Sequence, residues 1–215
     1  MQYLSTRDKS LRVSAAEAIK MGLSRDGGLF TPVNFPVLRA LDVEMLRGMS
    51  YPRRAAYIMG KYLEQFRPED LGLFAERAYG PDRFDAPGVA PLRQLDQRTW
   101  CLELWHGPTS AFKDMALQML PQLLSTSLRM TGEEKTACIL AATSGDTGKA
   151  AMEGFADVEQ TRILVFYPRD GVSEIQRLQM VTQEGDNVGV CAVEGNFDDA
   201  QNGVKRIFSD PAIRE

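Results

Sequence analysis

Thr136-Ala137-Cys138-Ile139-Leu140-Ala141-Ala142-Thr143-Ser144-Gly145-Asp146-Thr147-Gly148-Lys149 passes from an apolar run into a loop of hydroxyls and glycines, then into a helical stretch. The run Thr136–Ala141 is short, continuous and uncharged. That pattern suits a strand buried on both faces of a parallel sheet. Two later runs repeat it, Arg162–Tyr167 and Asn187–Val193. Helical segments separate and follow them, from about Thr147 to Ala156, Ser173 to Gln183 and Asp198 to Phe208. Ser173 and Asp198 are suitable N-caps. The order β-α-β-α-β-α predicts an α/β fold, a parallel sheet with right-handed crossovers.

Upstream the character differs. Residues 1–96 read as mainly helical and irregular, and 97–215 as the α/β portion. Ser14-Ala15-Ala16-Glu17 is a capping-box pattern that opens a helix ending at Gly22. Arg25–Pro32 reads as a turn with a short extended run. Gly27-Gly28 suits a turn, with ligand lining as the alternative. Leu41–Met49, Arg53–Gln65 and Pro68–Tyr79 carry helical spacing, and Pro52 and Pro68 suit helix starts. Asp82–Arg98 reads as a linker.

Composition bounds the function. A chain of 215 residues with 44% hydrophobic and 25% charged residues is ordinary for a globular protein. A net charge of −4 argues against a nucleic-acid surface. No apolar run approaches a membrane span, and the N-terminus lacks a signal-peptide core. Cys101, Cys138 and Cys191 sit in apolar runs and read as buried free thiols of a reducing cytoplasm. The single histidine, His106, excludes a multi-histidine metal site, and no metal is expected. No pattern specifies an oligomeric state.

Two loops carry candidate chemistry. Thr143–Lys149 leads from a strand end into a helix N-terminus, where unpaired N–H groups and the dipole favour a carboxylate or phosphate. It is not a Walker A loop: two residues separate Gly145 and Gly148, and Ala150 follows Lys149. A plain capping turn is the alternative reading. The second loop, Leu104-Trp105-His106-Gly107-Pro108-Thr109-Ser110-Ala111-Phe112-Lys113-Asp114, lies between a strand, Trp100–Leu104, and an apolar helix, Met115–Leu124. It delivers Lys113 to the first helical turn, where the dipole and partial burial disfavour its charged form. A neutral lysine attacks carbonyls, so Schiff-base chemistry becomes available. Solvated surface is the bland alternative for one lysine. Asp114 opposes the effect if it points the same way, or caps the helix.

His-Gly-Pro-Thr-Ser-Ala-Phe-Lys-Asp at 106–114, with Ala-Thr-Ser-Gly-Asp-Thr-Gly at 142–148, resembles the threonine synthase family. Asp26–Phe30, Leu164–Arg169, Ser173–Gln176 and Gly195–Gln201 are similar to family segments in the same order, so the resemblance covers essentially the whole chain. It implies the tryptophan-synthase-β-like fold of pyridoxal-phosphate enzymes, with a mainly helical N-terminal domain and parallel βαβ units, incomplete at the C-terminus. It implies a carbon–oxygen lyase converting O-phospho-L-homoserine and water to L-threonine and phosphate. It implies that Lys113 holds pyridoxal 5′-phosphate as a Schiff base and then serves as base at Cα. Thr143, Ser144, Gly145 and Thr147 would receive the substrate carboxylate, with Asp146 on the cofactor side. His106 or Thr109 would take a supporting or phosphate role, a structural hydrogen bond being the leading reading for His106.

Family members are considerably longer, and no glycine-rich loop for the cofactor phosphate is evident. Gly195–Asp199 aligns with a different family segment. The isolated 215 residues are therefore expected to retain the cofactor weakly and to show no appreciable activity. Other readings are a related pyridoxal-phosphate dehydratase or β-replacement enzyme, or a catalytically dead module that binds a phosphorylated small molecule.

Overall fold

The computed structural model describes residues 1–210 and 212. They group into two compact units, Met1–Pro91 with Gln122–Glu134, and Leu92–Pro121 with Lys135 onward. In chain order the first elements are β1 (Gln2–Ser5), β2 (Arg12–Ser14), α1 (Ala15–Met21), β3 (Phe30–Pro32), α2 (Ala40–Arg47), α3 (Tyr51–Tyr62) and α4 (Pro68–Tyr79). Then come β4 (Leu92–Gln94), β5 (Trp100–Leu102), α5 (Asp114–Leu117), α6 (Leu120–Met130), β6 (Ala137–Ala142) and α7 (Asp146–Phe155). The last are β7 (Thr161–Pro168), α8 (Glu174–Val181), β8 (Val188–Val193) and α9 (Phe197–Ser209).

The first unit holds a sheet that the sequence pattern did not predict, antiparallel, in the order β2-β1-β3. Its strands are three or four residues long, too short for a periodic signal. The turn before β3 is tied by Asp26, whose carboxylate accepts from Ser5 Oγ (2.8 Å) and the Gly28 N–H (2.8 Å). Gly27-Gly28 is therefore a turn, with Gly27 left-handed at φ 76°. The Ser14–Glu17 capping box forms as expected, with Glu17 N–H donating to Ser14 Oγ at 3.2 Å and Ser14 N–H to Glu17 Oε2 at 2.8 Å.

Helices α3 and α4 pack as a hairpin over buried Leu71, Phe74, Ala75 and Ala78. Tyr51 and Tyr79 meet edge to face at 5.2 Å. Gly72 lies inside α4, and a Cβ built there meets no heavy atom within 4 Å. Gly72→Ala is thus expected to stabilise this unit by about 0.5–1 kcal/mol, the helix-propensity difference. Urea unfolding followed by far-UV circular dichroism checks it.

In the second unit β6, β7 and β8 form the expected parallel sheet, in that order. Helix α7 packs on β7. Along β7, Thr161, Ile163, Val165 and Tyr167 are buried, while Arg162, Leu164 and Phe166 are more open. The strands are apolar throughout but not equally covered on both faces, which corrects the sequence expectation. Cys138 pairs in register with Arg162, and Cys191 with Phe166, on the more open face. Both thiols are exposed and Cys101 is half-buried, rather than buried as expected.

Four local expectations also change. The linker 82–98 contains β4, which pairs antiparallel with β5, so β5 lies outside the parallel sheet. The helix expected over Met115–Leu124 is two helices, broken between Leu117 and Leu120. Pro121 fits the break: it has no N–H to donate to the Leu117 carbonyl four residues back, so one helical ladder cannot run through. The N-cap of α9 is Asn196, not Asp198; its side chain accepts from Asp198 N–H (2.8 Å) and Asp199 N–H (3.2 Å). Lys113 stands at the N-cap of α5 rather than inside a first turn.

Candidate active site

Lys113 follows a loop built around one buried carboxylate. Asp114 has no exposed surface, and it turns back into the loop. Its oxygens accept from Thr109 N–H at 2.9 Å and Thr109 Oγ1 at 2.7 Å. Gly107 passes so close that a Cβ there would lie 2.6 Å from the Asp114 side chain. Ser110 N–H donates to Gly107 O (3.1 Å), and Ser110 itself is left-handed at φ 58°. The loop's polar groups thus serve the loop, and Asp114 points into it. Thr109 spends both donors on Asp114.

Lys113 is half-buried, with Nζ 4.6 Å from the centre of the Phe112 ring. Among the described residues it makes no ion pair. Helix α5 is four residues long, so it carries only part of the dipole of a full helix. His106 pairs with Glu103 (Nε2 to Oε2, 2.9 Å), the structural bond expected for it.

Burial raises the Asp114 pKa against the lowering effect of the Thr109 donors, and Glu153 adds to the rise. A carboxyl with a raised folded pKa binds protons more readily when folded. Its stability contribution is therefore fullest below the ordinary carboxylate range and falls as pH rises through the folded value. Asp114→Asn keeps the shape but offers one acceptor to two donors. It is expected to cost about 1–2 kcal/mol. The gap from wild type should be widest in acid and narrow toward neutral pH. Denaturation at several pH values, followed by tryptophan fluorescence, checks both points, because Trp100 and Trp105 both lie in this unit.

The second loop follows β6 and leads into α7. Thr143 is buried, and its Oγ1 accepts from Gly145 N–H (3.0 Å) and Gly148 N–H (2.9 Å). That hydroxyl caps the helix from within. The N–H groups of Ser144, Asp146 and Thr147 have no partner among the described residues. Ser144 is exposed and Thr147 half-buried, so their hydroxyls lie beside these open donors. Gly145 is left-handed (φ 138°), and a Cβ there would collide with the Gln176 amide. Three open N–H groups at the start of a ten-residue helix have the chemistry to accept an anionic group.

The two loops belong to neighbouring helices, since α5 packs against α7. The crossing is close at Gly154, where a Cβ would lie 2.9 Å from the Leu117 carbonyl carbon and overlap its oxygen. Gln176 was not singled out from the sequence as a site residue. Its Nε2 donates to Asp146 Oδ1 at 2.9 Å while its Oε1 caps α8 through Ser173 N–H at 3.1 Å. The Ser-x-x-Gln spacing at 173–176 signals the cap, but nothing local signals the bond to Asp146. Gly154 was legible only as a glycine inside a helix.

Residues 2–79 match the family described as threonine synthase N terminus. The whole chain is similar to the threonine synthase of Pseudomonas aeruginosa, 42% identical over 98% of this chain and 44% of that protein. The structure of pyridoxal-phosphate-bound threonine synthase from Brucella melitensis superposes with a TM-score of 0.91 at 39% identity, covering 99% of this chain and 45% of that one. Yeast threonine synthase superposes at 0.89 with 36% identity, covering 99% and 44%. The chain spans less than half the length of these relatives. Over that span motifs, order of elements and backbone agree, and the chain is similar to the N-terminal portion of threonine synthases.

Proposed function

We propose that this chain provides the lysine and the carboxylate receptor of a threonine synthase, which converts O-phospho-L-homoserine and water to L-threonine and phosphate in the cytoplasm. The reading rests on two observations: a Lys113 amine with no ion pair among the described residues at the N-cap of α5, and three open N–H donors at the start of α7, a helix that α5 contacts. The residues present fit pyridoxal 5′-phosphate at its aldehyde end: among the described residues Lys113 has no carboxylate partner, and Asp114 accepts from Thr109 in its own loop. When bound, that cofactor supplies an electron sink.

The chain's own residues then divide the work. Lys113 would hold the cofactor through its amine, and the same amine, when free, would be the base for the Cα proton. Ser144, Asp146 and Thr147 N–H groups orient the substrate carboxylate, with the Ser144 and Thr147 hydroxyls beside them. Gly145 lets the backbone approach. Thr143 acts by holding the loop, through its two accepted N–H bonds. Asp146, held by the Gln176 amide, would contact the cofactor. Free thiols, with no helix among the described residues long and apolar enough to cross a membrane, are compatible with the cytoplasmic assignment.

The test is trapping. The protein is incubated with pyridoxal 5′-phosphate, reduced with borohydride and mapped by mass spectrometry. Label on Lys113 is expected. Without reduction the cofactor should be lost on dialysis, and phosphate release from O-phospho-L-homoserine by these 215 residues should stay at background. Label on other lysines with Lys113 unmodified would overturn the assignment. Dialysis-stable stoichiometric binding would overturn the expected weak retention.

A further inference from the structure

A groove of about 720 Å³ runs between α3 and α4, within the first unit. Its apolar lining includes Ala56, Gly60, Phe66, Leu71 and Gly72, here taken as its floor. Glycine is disfavoured inside helices, yet each helix of this pair places one on the floor. A Cβ at Gly72 would enter open space, and one at Gly60 would first meet a Leu71 methyl at 3.8 Å. No packing demand forces either glycine, and their effect is to keep the groove deep. Its volume falls in the range of sites for small molecules.

The rim shows which kind of molecule. Lys61 is committed to Asp42 at 3.6 Å and lies over the Tyr57 ring, and Glu64 is committed to the N-terminal ammonium. Arg53 of α3 and Glu76 of α4 are not committed. One lies near the start of α3 and the other near the end of α4, the end of the hairpin where Tyr51 meets Tyr79. Among the described residues neither makes an ion pair, although they have opposite charge and line one groove. A ligand that satisfies both carries a carboxylate and an ammonium on an apolar body.

We propose that this groove binds an α-amino acid with a bulky apolar side chain. Its carboxylate meets Arg53, its ammonium meets Glu76, and its side chain lies on the glycine floor. This site is separate from the Lys113 loop and does not depend on the reading of that loop.

The probe is L-phenylalanine, titrated into the protein and followed by calorimetry and ligand-observed NMR. N-acetyl-L-phenylalanine lacks the ammonium, and phenethylamine lacks the carboxylate. Saturable binding of L-phenylalanine is expected, with both analogues weaker. Arg53→Gln should weaken L-phenylalanine about tenfold or more, the loss of a charge-assisted bond, and leave phenethylamine unchanged. Glu76→Gln should weaken L-phenylalanine and leave N-acetyl-L-phenylalanine unchanged. Gly72→Leu should block all three, with circular dichroism confirming that α4 is intact. The proposal is overturned if L-phenylalanine fails to bind at millimolar concentration. It is equally overturned if all three probes bind alike and the Arg53 and Glu76 variants are silent, which would mark the groove as a purely apolar docking face.

Discussion

Lys113→Ala is expected to abolish specific borohydride-trapped labelling by pyridoxal 5′-phosphate. The chain has seven lysines, so the claim is selective. Lys20 pairs with Glu133 at 3.4 Å, Lys61 with Asp42 at 3.6 Å and Lys149 with Glu153 at 3.5 Å. Lys205 donates to Gln201 at 2.8 Å. A carboxylate partner favours the charged ammonium, which cannot attack a carbonyl. Lys113 has an aromatic ring beneath its amine, no ion pair among the described residues, and a neighbouring helix whose start presents open N–H donors. Exposed Lys9, outside any such setting, is the internal control. Lys9→Ala should leave the label in place, and Lys113→Ala should remove it. Peptide mapping after reduction decides the matter, and undiminished label in Lys113→Ala would refute the assignment.

Gly154→Ala is expected to have the largest effect on stability. The added methyl would press on the Leu117 carbonyl, which is backbone and cannot rotate away, with Pro121 Cγ a further 3.6 Å neighbour. Relief requires α5 to move off α7. The cost is about 2–3 kcal/mol, the upper part of the range for overpacking. Trapped labelling should fall with it, since Lys113 stands at the N-cap of α5 and the proposed anion receptor lies at the start of α7. Denaturant unfolding read by tryptophan fluorescence gives the stability loss. Trapped labelling of folded variant at low denaturant gives the loss of alignment. A variant with wild-type midpoint and wild-type labelling would show that the close crossing at Gly154 is not what positions the two loops.

Much of this was legible in the chain itself. The capping box at Ser14, the N-cap at Ser173, the helix over Pro68–Tyr79, the three parallel strands and the loops carrying Lys113 and Ser144 all rest on patterns a few residues long. Side-chain period, caps and proline positions act within one or two turns, and so they can be read locally. The same short range made Pro121 a readable break that the apolar pattern alone concealed.

Other features depend on groups distant in sequence. The pairing of β4 with β5, the grouping of Gln122–Glu134 with the first unit and the exposure of Cys138 and Cys191 follow from what packs on what. Thr143 reads as a ligand contact from its place in the motif, and only the folded loop shows its hydroxyl turned inward as a cap. Asp114 had two open readings beside Lys113, and the buried Thr109 donors selected one. The sequence by itself determined which residues could do chemistry, because residue type and local spacing set reactivity and backbone form. Tertiary structure decided which were free to do it, because burial and hydrogen-bond partners come from segments tens of residues away.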